Sequence, residues 1–149
     1  MKYEYAPDLQ EKTEKIAKAL FPHVRVSYIK CFRSYETSSR GTIARCHTIG
    51  KLMQLAIGVA PYYAIEFIVE RFEKMSDKDK KKVIIHELMH IPKAFGGGFI
   101  HHDKVNEKNV NVMYEKYCAI EKHELLNEGY EKYVSPRVEV KPERKGWFS

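Results

Sequence analysis

The sequence predicts an α+β fold in which a small, mainly antiparallel sheet packs against several helices. Residues 7–20 place apolar side chains close to one stripe of a helix, with charged residues elsewhere. Residues 24–32 alternate in polarity and are rich in β-branched and aromatic residues, which is typical of a strand. Apolar residues also surround residues 86–90, where the spacing favours a buried helix. Both periodicities in one short chain predict this fold class.

Turn residues divide the middle of the chain into further strands. A turn at residues 38–41 is followed by residues 42–47, which are predicted to be the hairpin partner of the first strand. After Gly50, residues 53–59 are predicted to form a third strand and to supply the edge of the sheet. These assignments give the small antiparallel sheet.

Three further helices are predicted from caps and apolar spacing. Pro61 is expected to open a helix that continues to Met75, and Ser76-Asp77 is expected to cap the next helix. Residues 106–127 carry apolar side chains on one face, which predicts a last helix that closes the core.

The length and composition predict one domain. At 149 residues and 44% hydrophobic content, the chain can build a single core over residues 1–134. Residues 135–149 are charged and contain two prolines, as expected of an extended C-terminal tail. Trp147 and Phe148 near its end could clasp the domain, associate with another copy or occupy a cleft, and the sequence leaves these alternatives open.

The chain lacks the features of exported or membrane proteins. No run of 18 apolar residues is present, and the N-terminus has no signal-peptide core, so a cytoplasmic protein without a membrane partner is predicted. The odd number and wide spacing of Cys31, Cys46 and Cys118 indicate free thiols rather than disulfides or a cysteine zinc site.

The net charge of +6 invites a nucleic-acid hypothesis. The densest basic run, Lys78 with Lys80 to Lys82, is interrupted by two aspartates and is interpreted as the solvated start of a helix. Zinc-finger spacing and aromatic RNA-binding motifs are both absent, so nucleic acid is not predicted as a partner.

Residues 86–90 read His86-Glu87-Leu88-Met89-His90, the HExxH pattern. Side chains four positions apart on a helix lie on one face, about 5–6 Å apart at Cβ, so the two histidines can face one metal ion. Glu87 is rotated by about 100° from His86, which lets its carboxylate reach a water rather than the metal. The pattern therefore predicts a Zn²⁺ site with Glu87 as the catalytic base.

The residues after the pattern predict how a third ligand is supplied. Pro92 disfavours helical geometry in the preceding residue, so the helix is expected to end near Ile91. The glycines at 96–98 permit a reversal that brings a histidine from residues 99–103 back over the metal. A catalytic zinc site has three protein ligands and one position open to water.

These residues resemble a known family, the HExxH metallopeptidases of archaea and phages, over about residues 24–117. The matching residues are Arg33-Ser34, Ser39-Arg40, 42–45, 54–56, Pro61-Tyr62, Ile65-Glu66, 70–72, 86–92, 95–97 and His102-Asp103. The resemblance implies a zincin-like fold and hydrolysis of peptide bonds in peptide or protein substrates.

The third ligand is the point at which this chain departs from the family. The family loop usually carries one histidine, whereas this chain has His101 and His102 in tandem. Alignment of His102-Asp103 with the family's His-Asp favours His102. Glu128, in an Asn-Glu pair that resembles the gluzincin pattern, is the rival elsewhere in the chain.

The resulting hypothesis is a zinc metallopeptidase in which His86, His90 and His102 bind the metal and Glu87 activates water. Arg45, His101 and Tyr62 are candidates for a further catalytic donor. The alternative is a non-catalytic zinc-binding or protein-interaction module, in which a residue such as Glu121, His123 or Glu124 supplies a fourth ligand.

Overall fold

The computed structural model describes the backbone of residues 1–139 and the side chains of residues 1–129. Its elements are β1 (Lys2–Tyr5), α1 (Pro7–Leu20), a 3-10 turn (Val26–Tyr28), β2 (Ile29–Tyr35), β3 (Ala44–Thr48), α2 (Lys51–Ile57), β4 (Tyr63–Ile68), α3 (Val69–Phe72), α4 (Asp77–Met89) and α5 (Glu107–Glu139). The predicted α+β class is confirmed.

The sheet is mixed, with the strand order β1-β2-β4-β3. β1 pairs antiparallel with β2, β2 pairs parallel with β4, and β4 pairs antiparallel with β3. The parallel pairing was not expected from the sequence. It places β4 at the centre and leaves β3 as one edge of the sheet.

The core lies between one face of this sheet and the long helices. Ile65 and Phe67 of β4 are fully buried there, against Ile16 of α1, Leu88 of α4 and Tyr117 of α5. Burial of each such side chain stabilises the fold by about 1.5–3 kcal/mol. Because α4 contributes to this core, its position relative to the sheet is fixed.

Three of the predicted helices are present. α1 has the predicted bounds, with Pro7 at its first position, where a missing N–H costs nothing. Ser76 caps α4, since its hydroxyl accepts a hydrogen bond of 3.1 Å from the backbone N–H of Asp79. α5 covers the predicted residues 106–127 except the first, and it continues beyond them to Glu139.

The first strands differ from their predicted forms. The strand expected over residues 24–32 begins only at Ile29, after a 3-10 turn, and continues to Tyr35. Residues 42–47 do contain most of β3, but β3 pairs with β4 and not with β2, so the predicted hairpin is wrong. The partner of β3 is β4, which lies later in the chain, and the turn residues next to β3 do not indicate this pairing.

Two further assignments are wrong, because a short apolar run fits the residue spacing of a helix as well as that of a strand. Residues 53–59, predicted as an edge strand, lie mostly in α2, which ends at Gly58 with a left-handed φ of 78°. The helix predicted from Pro61 to Met75 is instead β4 followed by the short α3. β4 is buried on both faces, so its apolar residues are consecutive rather than alternating.

The C-terminal part of the chain is helical further than predicted. α5 includes residues 135–139, where an extended segment was expected. The division between a domain over 1–134 and a tail over 135–149 stays a prediction, and Trp147 and Phe148 lie outside the described residues. Among the helices that the structure describes, none has the length and apolar character needed to cross a membrane.

The basic run at the start of α4 makes contacts within the fold. Lys81 forms an ion pair of 3.1 Å with Glu121 of α5, and Lys80 lies 3.6 Å from Glu73. The Lys82 ammonium lies 5.3 Å from the ring centroid of Tyr114 on α5. These contacts join α4 to its neighbours and give the run a structural role.

An ion pair also joins α1 to β2. The guanidinium of Arg33 donates two hydrogen bonds of 2.7 Å to the carboxylate of Asp8 and one of 2.6 Å to Glu73. Hydrogen bonding by Arg33 lowers the pKa of Asp8 from 3.8 to about 2. Because the folded pKa lies below the unfolded one, this stabilisation is present above about pH 4 and is lost as the pH falls towards 2.

We expect Asp8→Asn to lower the free energy of unfolding by about 0.5–1 kcal/mol at pH 7, the range of exposed ion pairs. The difference from the parent should shrink as the pH falls to 2, where about half of the parent's Asp8 carboxylates are themselves protonated. Urea titrations across this pH range measure it. Glu11→Gln, at an exposed acid of the same helix, is the control, and an Asp8→Asn deficit that persisted at pH 2 would contradict the assignment.

Candidate metal centre

Helix α4 carries the HExxH residues and packs against the core through its apolar face. Ile84, Ile85 and Leu88 are fully buried and hold the helix against the core. His90 follows the last residue of α4 and keeps helical angles, with φ −70° and ψ −15°. The expected end of the helix near Ile91 is confirmed within the usual uncertainty of helix boundaries.

Three histidines meet beside this helix. The Nε2 atoms of His86 and His90 lie 3.3 Å apart. The ring of His102 lies 5.5 Å from that of His86 and 4.6 Å from that of His90, centroid to centroid. Nitrogen atoms of the three residues all lie within 4.8 Å of one another, which is close enough for them to hold one metal ion.

The separation of the first two histidines matches the demands of zinc. Two nitrogen ligands at about 2.0–2.1 Å from a tetrahedral ion would lie about 3.3–3.4 Å apart. The observed Nε2–Nε2 distance of 3.3 Å therefore requires little rearrangement of His86 or His90.

A backbone carbonyl fixes the orientation and tautomer of His90. Its Nδ1 atom lies 2.6 Å from the carbonyl oxygen of Ile100. A carbonyl oxygen can only accept, so Nδ1 carries the hydrogen and Nε2 keeps its lone pair for a metal.

The surroundings also keep the imidazoles neutral. Burial lowers the pKa of His86 to about 4, and neighbouring His90 and His102 add to the effect. Burial likewise lowers the pKa of His90. Neutral imidazole is the form that binds metals, so at pH 7 neither residue must lose a proton before it binds.

Glu87 lies beside the group and is largely buried. Its residue surface is 6% exposed, and its Oε2 atom lies 3.9 Å from Nε2 of His86. Burial raises the pKa of its carboxyl group from 4.5 to about 7. A carboxyl group with a pKa near neutrality can both accept and return a proton at physiological pH.

The loop between His90 and His102 is closed by a reciprocal pair of hydrogen bonds. The backbone N–H of Ile100 donates to the carbonyl oxygen of His90 at 2.8 Å, while Nδ1–H of His90 donates to the carbonyl of Ile100. Residues 91–99 therefore leave the helix and return to it. The closure brings His102 next to the other two histidines.

Tyr63 of β4 holds the middle of this loop to the sheet. Its hydroxyl donates to the carbonyl oxygen of Gly98 at 2.9 Å and accepts from the backbone N–H of Gly97 at 3.0 Å. The ring is 1% exposed and packs against Phe95, with centroids 4.9 Å apart. A residue of the central strand thus positions the loop that carries the third histidine.

Gln54 of α2 holds the same loop from the other side. Its Nε2 group donates to the carbonyl oxygens of Ile49 at 2.7 Å and Gly96 at 3.0 Å. Sequence reasoning assigned no role to Gln54 or Tyr63. The role of Gln54 could have been suspected because it is the only uncharged polar residue among the seven residues of α2.

Only one of the three loop glycines is sterically required. Gly97 has a left-handed φ of 96°, and a Cβ atom there would lie 2.6 Å from the carbonyl oxygen of Ile49 and nearer still to Gln54. Added Cβ atoms at Gly96 and Gly98 would meet nothing within 4 Å. The sequence predicted that all three glycines permit the reversal of the loop, but only the central one, Gly97, must be glycine.

The other candidate ligands do not belong to the group of three histidines. His101 and Glu128 are exposed, and neither belongs to the group. Glu121 is paired with Lys81, and the His123 ring contacts Asn127 on α5. Among the candidates raised by the sequence, the structure thus brings His102 to the HExxH pair.

The two remaining candidate donors have structural partners. Nε of Arg45 lies 3.3 Å from Oε1 of the buried Glu66, and His47 lies 2.8 Å from the same oxygen. Arg45 nevertheless lines the cleft beside the histidines. Tyr62 packs edge-on against Tyr28, with ring centroids 4.9 Å apart.

A cleft runs past the histidines along the sheet edge. One cavity of about 490 Å³ lies between residues 42–46 and the loop that ends at His102. A second cavity of about 470 Å³ continues on the other side towards α5. Both are lined by Thr42, Ala44, His86 and Glu87, so the cleft extends in both directions from the carboxylate.

Histidines of an HExxH helix beside an open cleft define the kind of centre found in metal-dependent hydrolases. The chain matches the family model described as "Putative phage metallopeptidase" over residues 1–132, and it belongs to that family. The resemblance seen in the sequence is confirmed. Searches of curated proteins and of solved structures find no match.

We expect Gly97→Ala to lower the free energy of unfolding by about 2 kcal/mol or more, because the substitution adds left-handed strain and a clash with Ile49. If the three histidines hold a metal ion, the substitution should also weaken its binding, since the loop carries Ile100 and His102. Gly98→Ala is the matched control and should change both quantities little. Denaturant titration and zinc titration measure the two effects, and equal behaviour of the variants would contradict the steric argument.

Proposed function

We propose that this protein is a zinc-dependent metallopeptidase with a zincin-like fold. His86, His90 and His102 hold the metal, and Glu87 is the general base. The observation that carries the proposal is the meeting of three histidine nitrogens within 4.8 Å beside a buried glutamate. Membership of a metallopeptidase family supports peptides or proteins as substrates.

The donor set and its surroundings favour a catalytic zinc site. Neutral imidazole nitrogens suit Zn²⁺, and three protein ligands leave a fourth position for water or substrate. The cavity of about 490 Å³ beside the histidines gives room for that exchange. Bound zinc would acidify a water molecule and polarise the carbonyl of the scissile bond.

Glu87 carries the proton through the reaction. Its carboxylate accepts a proton from the attacking water and returns it to the nitrogen of the leaving amine. Burial supports this role, because it raises the pKa of Glu87 to about 7 and so allows both transfers near neutral pH. His101 and Arg45 line the same cleft and are candidate donors to the oxygen that develops charge.

The edge strand β3 offers a place for an extended substrate. β3 pairs with β4 on one side only, so its other side has backbone groups available for a further strand. Pairing there would lay a peptide along Thr42 and Ala44, past Glu87, with cavities on both sides. This edge replaces residues 53–59, which the sequence suggested for the role and which lie mostly in α2.

The alternative is a non-catalytic zinc-binding or protein-interaction module. Such a site would need a fourth protein ligand, and Glu121, His123 and Glu124 do not belong to the histidine group. A structural site has no need of a buried glutamate next to an open cleft, which Glu87 provides. These two features favour hydrolysis.

We expect His102→Ala to weaken zinc binding strongly, to the level of His86→Ala and His90→Ala, because each removes a direct ligand. His101→Ala and Glu128→Ala should leave affinity within the roughly 10- to 100-fold range of indirect effects. Competition titration against a zinc chelator, together with metal analysis, measures all five variants. Tight zinc binding by His102→Ala with loss in Glu128→Ala would assign the third ligand to Glu128.

We expect Glu87→Gln to retain zinc and to lose about 10²- to 10⁴-fold in kcat, because an amide cannot accept the proton of water. Cleavage of an unfolded protein such as casein, followed by mass spectrometry, measures this loss. The metal-free variant should be at least as stable as the parent at pH 8, since it no longer buries an ionised carboxylate. Unchanged turnover would remove Glu87 as the base and favour the binding module.

A further inference from the structure

Helix α2 is apolar yet exposed. Leu52 and Leu55 retain 79% and 74% of their accessible surface, and Met53 and Ile57 each retain more than half. Gln54 is its only buried residue. Scattered exposed apolar residues are ordinary on a protein surface, but a contiguous patch of this kind indicates an interaction site.

The exposed side chains point in many directions around the helix. At 100° per residue, the apolar residues of α2 cover an arc of about 200°, and only the side occupied by Gln54 faces the protein. This arc is about twice as wide as the apolar stripe of about 100° with which a surface helix normally faces its own core. A flat face of a second protein would cover only part of this arc, whereas lipid chains can surround it.

The charges near the helix suit an anionic surface. Residues 37–65, which include α2, contain no aspartate or glutamate, and Lys51 at the start of the helix is exposed. Residues 88–102, the segment that Gln54 contacts at Gly96, also lack acidic residues. Lysines beside an apolar helix are typical of segments that bind anionic lipid headgroups.

The helix is also joined to the metal loop. Gln54 donates a hydrogen bond to the carbonyl oxygen of Gly96, and the same loop continues to the half-exposed Phe99 and to His102. A partner or surface that binds α2 would therefore lie close to the loop that carries His102.

We propose that α2 is a docking element for anionic membranes, which inserts Leu52, Met53, Leu55 and Ile57 into the interface while Lys51 contacts lipid headgroups. The helix would lie in the interface without crossing the bilayer. This surface site is separate from the proposed chemistry, because it contains none of the metal-binding residues. It contradicts the expectation from the sequence that the protein has no membrane partner.

The test is co-sedimentation of the full chain with vesicles of phosphatidylcholine, alone or with one quarter phosphatidylglycerol. We expect binding to the anionic vesicles, weakened by about tenfold or more in the double variant Leu52→Ser, Leu55→Ser. Lys51→Gln should weaken binding about fivefold, the effect of one basic residue near an anionic surface. All three substituted residues are exposed, so thermal unfolding should be unchanged and serves as the check on folding.

The matched control is Leu125→Ser, Leu126→Ser on α5. These leucines are 67% and 63% exposed, so the control removes the same apolar groups from another surface and should keep binding intact. Absence of vesicle binding by the parent chain would overturn the proposal, as would equal losses in the two double variants. The alternative is that α2 joins two copies of the chain. Light scattering would then show a dimer that Leu52→Ser, Leu55→Ser dissociates, and neither the parent nor the double variant would bind vesicles. This outcome would also overturn the proposal.

Discussion

The candidate site depends on the pair of hydrogen bonds between residues 90 and 100. One bond runs from the backbone N–H of Ile100 to the carbonyl of His90, and the other from the His90 ring to the carbonyl of Ile100. The first closes the loop, and the second selects the tautomer that leaves Nε2 available. This pair of contacts therefore helps to place His102, together with Tyr63 and Gln54, and leaves Nε2 of His90 available to a metal.

Burial then gives these residues their chemical properties. The same low-dielectric surroundings lower the pKa of His86 and raise that of Glu87, because each group avoids its charged form. Burial thereby favours the neutral form of His86, and the pKa of Glu87 lies near neutrality. Both consequences follow from packing α4 against the core through Ile84, Ile85 and Leu88.

The arrangement of the sheet connects this chemistry with the surroundings of the site. β4 is central, so Tyr63 at its start can hold the glycine loop, while β3 is left as an edge beside α4. The connection between β3 and β4 contains α2, whose Gln54 holds the loop from the opposite side. The loop and the edge strand thus line the cleft beside the histidines, and α2 holds the loop at Gly96, next to the close-packed Gly97.

Elements with local signals could be predicted from the amino-acid sequence alone. Pro7 and the apolar stripe placed α1, Ser76 placed the start of α4, and the HExxH spacing placed two histidines on one helical face. His102 was favoured by its resemblance to a family pattern, and the structure brings it to His86 and His90.

Features that depend on distant partners could not be predicted, because those partners come together only in the folded chain. A parallel neighbour for β2 made residues 63–68 a buried central strand, although their apolar spacing also fitted a helix. Residues 53–59 became mostly helical, with Gln54 bound to a loop 42 residues later. The local sequence shows which side chains are apolar. The surfaces that cover them come from distant parts of the chain, and they determine whether a short apolar run forms a helix or a strand.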